Sequence, residues 1–193
     1  MPNAFALIDQ QIRTHSSNLQ FTNKGWQPIY SVSPLTKIII LSQAPSRKAQ
    51  ISGIPWGDTS GNNLRRWLGV DSAKFYDTSQ FGILPMDFYY PGKGVTGDLP
   101  PRIEFAGIWH KLILDELTNL KLILLVGQYA QKYYLKSSCK SNLTETVRSF
   151  QDYLPTYFPL PHPSPLNSRW LANNPWFEQN VAPELQQIVA GIL

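Results

Sequence analysis

The segment Lys37-Ile38-Ile39-Ile40-Leu41 is apolar at every position after its lysine. A short run of this kind, without polar alternation, is typical of a strand that is covered on both faces, as in a parallel sheet. Similar apolar runs recur at residues 81–86, 122–126 and 157–160. The sequence therefore predicts four strands of a parallel sheet.

Segments with helical patterns lie between these runs, so strands and helices alternate along the chain. Apolar spacing and cap residues predict helices over residues 4–19, 59–68, 102–117, 128–135, 143–153 and 175–189. Such alternation predicts an α/β fold. We expect a single domain over residues 1–193, in which residues 1–34 form an N-terminal helix and a connector.

Composition places the chain among folded globular proteins. It has 193 residues, of which 42% are hydrophobic and 16% are charged, and its net charge is +4. This small positive excess is compatible with a polyanionic partner. Cys139 is the one cysteine of the sequence, which excludes an internal disulfide and a four-cysteine metal or iron–sulfur site.

Neither a secretory signal peptide nor an apolar run long enough to cross a bilayer is recognisable in the sequence. We therefore expect a cytoplasmic protein that is monomeric and does not bind membranes. His15, His110 and His162 are far apart and lack the spacing of metal ligands on a helix. No metal site and no cofactor are predicted.

Loops rich in polar and proline residues follow each predicted strand. In a parallel sheet, ligands bind outside the carboxyl ends of the strands, near the point where the strand order reverses. We therefore expect a binding cavity where these loops converge, at residues 42–46, 87–101, 127–129 and 162–167.

The loop His162-Pro163-Ser164-Pro165-Leu166-Asn167 is the strongest candidate for chemistry. Its two prolines fix the backbone and exclude a regular helix, so the loop should be stiff. A neutral imidazole at His162 offers one N–H donor for developing negative charge, and an exposed leucine at such a tip can act as a wedge. The alternative interpretation is a structural histidine in an ordinary connector.

Several motifs together resemble the uracil-DNA glycosylase superfamily. Ser42-Gln43-Ala44-Pro45-Ser46 resembles the family's turn after the first strand, and 162–166 matches its second motif. Between them, Gly53-Ile54-Pro55-Trp56-Gly57, followed by Ser60-Gly61 and Leu64, resembles a segment of the iron–sulfur type of these enzymes. The resemblance spans roughly residues 35 to 192.

This resemblance implies a three-layer α/β/α sandwich that binds DNA and hydrolyses the N-glycosidic bond of uracil or another deaminated base. It implies that His162 is catalytic and that the base is bound by Gln43, Ala44, Pro45, Ser46 and Trp56. It also implies that DNA is bound by Ser164, Pro165, Leu166 and Asn167, Leu166 being the wedge. Further phosphate contacts are expected from Ser60 and from a subset of Arg47, Lys48, Arg65, Lys93 and Arg169.

The chain also departs from the family pattern. Ala44 stands where the best-known members have an aspartate that positions water, and Asp58 and Asp87 are possible substitutes. The asparagine that reads the uracil edge is expected near Pro85 or Met86, neither of which carries an amide. Asn62, Asn63 and Gln128 are alternative sources of such an amide.

The cluster ligands of the iron–sulfur type are missing as well. Tyr89 and Phe105 lie near the places where two of those cysteines are expected. We therefore expect no iron–sulfur cluster.

Two other functions stay open from the sequence. One is a nucleic-acid-binding protein that keeps the scaffold with little or no catalysis. The other is hydrolysis of a small nucleoside, which would need a closed cavity and no wedge.

Overall fold

The computed structural model describes residues 4–95 and 97–193. Within these residues, the strands β1 (Ile38–Leu41), β2 (Phe81–Ile83), β3 (Leu122–Val126) and β4 (Tyr157–Leu160) form one sheet. All of its pairings are parallel, and the order across the sheet is β2-β1-β3-β4. The predicted parallel sheet is confirmed, and the strand order reverses beside β1, between β2 and β3.

The residues of β1 explain how the sheet is covered on both faces. Ile38 and Ile40 belong to one hydrophobic core, Ile39 and Leu41 belong to another, and all are fully buried. Since successive side chains of a strand point to opposite faces, an uninterrupted apolar run packs against two helical layers at once. Each of these side chains contributes about 2–3 kcal/mol of hydrophobic stabilisation. The predicted three-layer α/β/α sandwich is therefore confirmed.

Helices of very different length surround the sheet. They are α1 (Ala4–Thr14), α2 (Leu19–Thr22), α3 (Arg47–Ser52), α4 (Thr59–Leu68), α5 (Ser72–Tyr76), α6 (Ile103–Leu114), α7 (Gln128–Leu135), α8 (Leu143–Arg148), α9 (Ser168–Asn173) and α10 (Ala182–Ile192). Side chains of α4, α5, α8 and α10 contribute to the core of one face, and those of α1, α2, α6 and α7 to the core of the other. Short α3 and α9 follow the loops after β1 and β4.

Local chemistry accounts for the differences from the predicted elements. The helix predicted over residues 4–19 ends at Thr14, because His15 is extended and its side chain caps a 3₁₀ turn at Ser16–Asn18. The strand predicted to reach residue 86 ends at Ile83, since Pro85 has no N–H for the ladder. The helix predicted over residues 175–189 is a π-helical turn at Phe177–Val181 followed by α10.

Arg102 ties the N-terminal segment to the sheet. Its Nε and Nη2 donate to Asp87 Oδ2 and Oδ1 at 2.6 and 2.7 Å, and the Asp87 carboxylate is fully buried. Its Nη1 donates to the carbonyl of Ser17 at 2.8 Å and to Asn18 Oδ1 at 3.0 Å. A fork of this kind binds a carboxylate through two parallel bonds. The guanidinium therefore links three parts of the chain.

Candidate active site

A cavity of about 620 Å³ opens at the carboxyl ends of the strands. Its volume lies within the usual range for small-molecule sites. Residues that follow each of the four strands line it, together with Trp56, Asp58 and Ser60 from the segment that leads into α4. The predicted convergence of these loops is therefore found in the structure.

Most of the residues predicted for the site meet in this cavity. Those that line it are Gln43, Ala44, Pro45, Ser46, Trp56, His162, Ser164, Leu166 and Asn167. Pro165 does not line it; this proline begins the exposed 3₁₀ turn at Pro165–Asn167. Pro165 therefore belongs to the backbone turn of the loop and not to the wall of the cavity.

His162 is held in one protonation state by its own loop. The backbone N–H of Ser164 donates to Nδ1 at 3.2 Å, which requires a lone pair on Nδ1. Burial lowers the pKa of His162 below the ordinary value, and the charge of Asp58 offsets part of this effect. The ring is therefore neutral at neutral pH, with its proton on Nε2, and can donate one hydrogen bond.

Amide side chains fix the loop that carries this histidine. Asn167 Nδ2 donates to the carbonyl of His162 at 2.8 Å. Asn63 Nδ2, on α4, donates to the carbonyl of Pro163 at 3.0 Å. These bonds hold both ends of the loop, which leaves the side chain of Leu166 86% exposed at its tip.

Trp56 faces His162 across the cavity. The two ring centroids are 5.7 Å apart, and the rings are tilted by 35°. Trp56 has a φ of 57°, in the left-handed region, which an ordinary side chain rarely adopts. A Cβ on Gly61 would lie 1.7 Å from the carbonyl oxygen of Trp56, so the glycine permits this backbone conformation. Arg65 Nη1 donates to the same oxygen at 3.2 Å.

A tryptophan ring, a neutral imidazole and an exposed leucine thus border one cavity. The model of the uracil DNA glycosylase superfamily matches residues 29–186. The chain belongs to this superfamily.

The turn after β1 lacks the aspartate of the best-known superfamily members. Ala44 lines the cavity in its place, and Gln43 Nε2 donates to the carbonyl of Leu99 at 3.3 Å. Ser46 caps α3, because its Oγ accepts from the N–H of Ala49 at 3.2 Å. The turn therefore presents a small apolar side chain to the cavity where the resemblance leads us to expect an aspartate in the best-known members.

Pro85 follows β2, near the place where the resemblance predicts the asparagine that reads the base, and its side chain carries no amide. This residue lines the cavity, and its carbonyl accepts a hydrogen bond from His110 Nε2 at 2.9 Å. Among the amides considered as replacements, Asn63 binds the His162 loop and Asn62 binds Arg65. Gln128 lines the cavity and follows Gly127 directly. A Cβ on Gly127 would lie 3.7 Å from Cδ2 of His162, so this part of the backbone is next to the imidazole ring.

The two carboxylates considered as substitutes for the missing aspartate lie in different surroundings. Asp87 is bound to Arg102 and does not line the cavity. Asp58 lines it and caps α4, with Oδ1 accepting from the N–H of Gly61 at 3.1 Å. Asp98, which belongs to the predicted cavity loop at residues 87–101 but was not predicted as a site residue, lines the cavity as well.

The basic residues considered for phosphate binding divide into two groups. Arg65 lies over the rings of Phe75 and Tyr76 and binds Trp56, and Lys93 lies 3.6 Å from Asp98. Arg47, Lys48 and Arg169 are exposed, and none of them forms a salt bridge within residues 4–95 and 97–193. They follow the cavity-lining loops after β1 and β4.

Tyr89 and Phe105, which lie near the places where two cluster cysteines are expected from the resemblance, belong to a group of packed aromatic rings. Tyr89 and Phe105 are buried with ring centroids 6.4 Å apart, and the guanidinium of Arg102 lies 5.9 and 4.7 Å from them. Across the part of the chain that the structure describes, no group of three or more His, Cys, Asp or Glu side chains is placed to hold a metal ion. The helices of that part are all too short or too polar to cross a membrane.

Proposed function

We propose that this protein is a monofunctional DNA glycosylase that hydrolyses the N-glycosidic bond of uracil or another deaminated base. The observation that carries the proposal is the neutral His162, whose Nε2–H is available in a cavity that Trp56 also lines. Membership of the uracil DNA glycosylase superfamily supports it.

In this reaction the bond between C1′ and the base nitrogen breaks, and its electron pair leaves with the base. The base becomes an anion while the sugar becomes an oxocarbenium ion. The Nε2–H of His162 donates to a base oxygen on which this negative charge develops. A fixed donor of this kind contributes about 3 kcal/mol in a site that excludes water. Water then adds to C1′ and loses a proton, and the base gains one.

Trp56 and Leu166 serve the step that precedes chemistry. A base inside a duplex cannot enter the cavity, so the nucleotide must rotate out of the stack. Trp56 offers the flipped base a ring that is already fixed in position. Leu166 enters the gap that the base leaves, since its side chain is exposed beside the cavity. Arg47, Lys48 and Arg169 bind the flanking phosphates, with Ser164 and Asn167.

The wall at Ala44 and Pro85 favours a site that accepts several deaminated bases. Neither side chain can form the paired hydrogen bonds that would distinguish one base edge from another. Besides Asn167, which binds the carbonyl of His162, the residues with side-chain amides that line the cavity are Gln43 and Gln128. We therefore include hypoxanthine and xanthine with uracil as substrates.

Ala44 and Pro85 also favour a second candidate function, nucleic-acid binding with little or no catalysis. Ala44 cannot position water and Pro85 cannot read a base, although the cavity and the exposed leucine would persist. Salt-sensitive binding without excision would distinguish this function from the glycosylase.

The test uses oligonucleotides with a single uracil, hypoxanthine or xanthine, in single- and double-stranded form, followed by alkaline cleavage at abasic sites. We expect excision by the native protein and a loss of about 100-fold or more in His162→Ala, with DNA binding retained. His15→Ala, which changes a histidine outside the cavity, should excise normally. No excision by an excess of native protein would favour the binding function, and equal loss of excision and binding would contradict the role of His162.

A further inference from the structure

Charged side chains of one sign line the cavity. Of the described residues in its wall, Asp58 and Asp98 carry a charge at neutral pH, because burial lowers the pKa of His162 and keeps that ring neutral. Lysine and arginine are absent from the described part of this wall. A cleft lined by one sign of charge raises the local concentration of ligands of the opposite sign. The cavity therefore favours a ligand that carries positive charge.

Asp98 keeps most of its charge for such a ligand. Its Oδ1 accepts from the hydroxyl of Tyr90 at 3.3 Å and lies 3.6 Å from Lys93 Nζ. The Lys93 side chain is 72% exposed and does not line the cavity, so water screens this ion pair. Within residues 4–95 and 97–193, Oδ2 of Asp98 accepts no hydrogen bond. This oxygen is free for the N–H donors of a ligand.

Trp56 is a second feature that suits a positively charged ring. The face of an indole attracts a cation through its quadrupole, more strongly than the faces of the other aromatic side chains. The Trp56 ring lines the same cavity, with its centroid 5.7 Å from that of His162. A flat cationic ring that stacks on Trp56 would thus lie in a cavity whose charge is opposite to its own.

Ala44 and Pro85 fit a cationic base as well. Uracil leaves the sugar as an anion, and carboxylates in the cavity wall oppose the development of that charge. A purine that is positively charged before the reaction leaves as a neutral molecule. Because its ring withdraws electrons from the glycosidic bond, it needs no side-chain amide to stabilise an anion and little activation of water.

We propose that the cavity also takes alkylated purines whose ring carries a positive charge, such as N7-methylguanine, and that Asp98 selects them. This proposal rests on the proposed hydrolysis of N-glycosidic bonds in the same cavity. The bond between C1′ and N9 breaks, and its electron pair neutralises the purine ring, which departs uncharged. The sugar becomes an oxocarbenium ion. Water then adds to C1′ and loses one proton to solvent.

The test compares two duplex oligonucleotides, one with a single N7-methylguanine and one with a single hypoxanthine, which is a neutral purine. Release of the free base in single turnover at pH 7 is measured by mass spectrometry, against the release without protein. Asp98→Asn keeps an acceptor for Tyr90 and removes the charge. We expect it to lower the ratio of the N7-methylguanine rate to the hypoxanthine rate by about tenfold. Asp98→Ser should lower the ratio in the same way if the asparagine variant does not fold.

Asp115→Asn is the matched control. Asp115 forms a salt bridge with Lys111 at 2.6 Å, as Asp98 does with Lys93, but it does not line the cavity. Its substitution should leave the ratio unchanged. A ratio in Asp98→Asn within about twofold of the native ratio would overturn the role of Asp98.

The native protein separates this proposal from the proposed function. Excision of hypoxanthine or uracil, with N7-methylguanine released no faster than without protein, would overturn the proposal and leave the glycosylase function standing. Release of none of these bases would instead contradict the proposed function itself.

Discussion

Trp56 has a backbone conformation that costs an ordinary residue about 1–3 kcal/mol. Its surroundings maintain this conformation through Arg65, which binds its carbonyl, and through Gly61, which leaves room for that carbonyl. The ring is therefore placed during folding, and in the proposed reaction the binding of a base would not have to move it.

Gly61→Ala should disturb this arrangement. The new Cβ would lie 1.7 Å from the carbonyl oxygen of Trp56, so the backbone must move. We expect a decrease of roughly 3 kcal/mol in the free energy of unfolding, together with a loss of excision. Urea unfolding followed by circular dichroism measures the former. Gly107→Ala in α6 is the control, because its Cβ would meet only Tyr133 Oη at 3.5 Å. Equal stability of the Gly61→Ala variant and the native protein would contradict this account.

Single residues differed in how far the sequence could identify them. His162 and Leu166 were identified because they share one contiguous motif with two prolines. The sequence could not choose between Asp58 and Asp87 as substitutes for a missing aspartate. That choice depends on Arg102, which binds Asp87 from the start of another helix.

The loop at residues 162–167 behaves as a rigid unit. Ser164 binds the ring of His162, Asn167 binds the carbonyl of the same residue, and Asn63 joins the loop to α4. The hydrogen-bond donor and the exposed leucine are consequently held at a constant separation. Under the proposed function, a base that is drawn toward His162 would leave a gap in the stack beside Leu166.

Leu166→Ala should therefore affect duplex substrates more than single strands. A single-stranded base needs no extraction from a stack, so its excision should not change. Excision from a duplex should slow by about tenfold. Leu35→Ala serves as the control, since Leu35 is 55% exposed and lies in the turn before β1, at the amino end of the strand and away from the cavity. Equal losses on both forms of substrate would mean that Leu166 is not a wedge.

Elements with a sustained pattern were predicted well. The bounds of α4 and α7 agree with the predicted residues 59–68 and 128–135. The short helices α3, α5 and α9 were not predicted, because five or six residues are too few to show a helical period.

His110 joins three parts of the molecule through a neutral ring. Nε2 donates to the carbonyl of Pro85 on the cavity wall, and Nδ1 accepts from the hydroxyl of Tyr134 on α7 at 2.6 Å. Burial lowers the pKa of His110 to about 4. Protonation in the folded protein would place an uncompensated charge in the core.

This pKa predicts a pH dependence of stability. Between its ordinary pKa and about 4, the imidazole binds a proton in the unfolded chain but not in the folded one. Its stabilisation is complete above pH 6.5 and is lost as the pH falls through this window, by roughly 3 kcal/mol at about 1.4 kcal/mol per pKa unit. His110→Gln keeps a donor and an acceptor without titrating. Urea unfolding at several pH values should give it a flatter profile than the native protein; parallel profiles would refute this origin.

The Arg102 fork has a consequence for the order in which the protein assembles. α1 and the turn that follows it are synthesised before the sheet, yet two of the acceptors of the fork, Ser17 and Asn18, meet their donor only when Arg102 has been added to the chain. α1 also packs against α6, which begins directly after Arg102. α1 and the turn after it therefore cannot reach their final contacts until residues from the middle of the chain have been synthesised. In a nascent chain halted before Arg102, the apolar side of α1 would stay exposed, and chaperones could bind it.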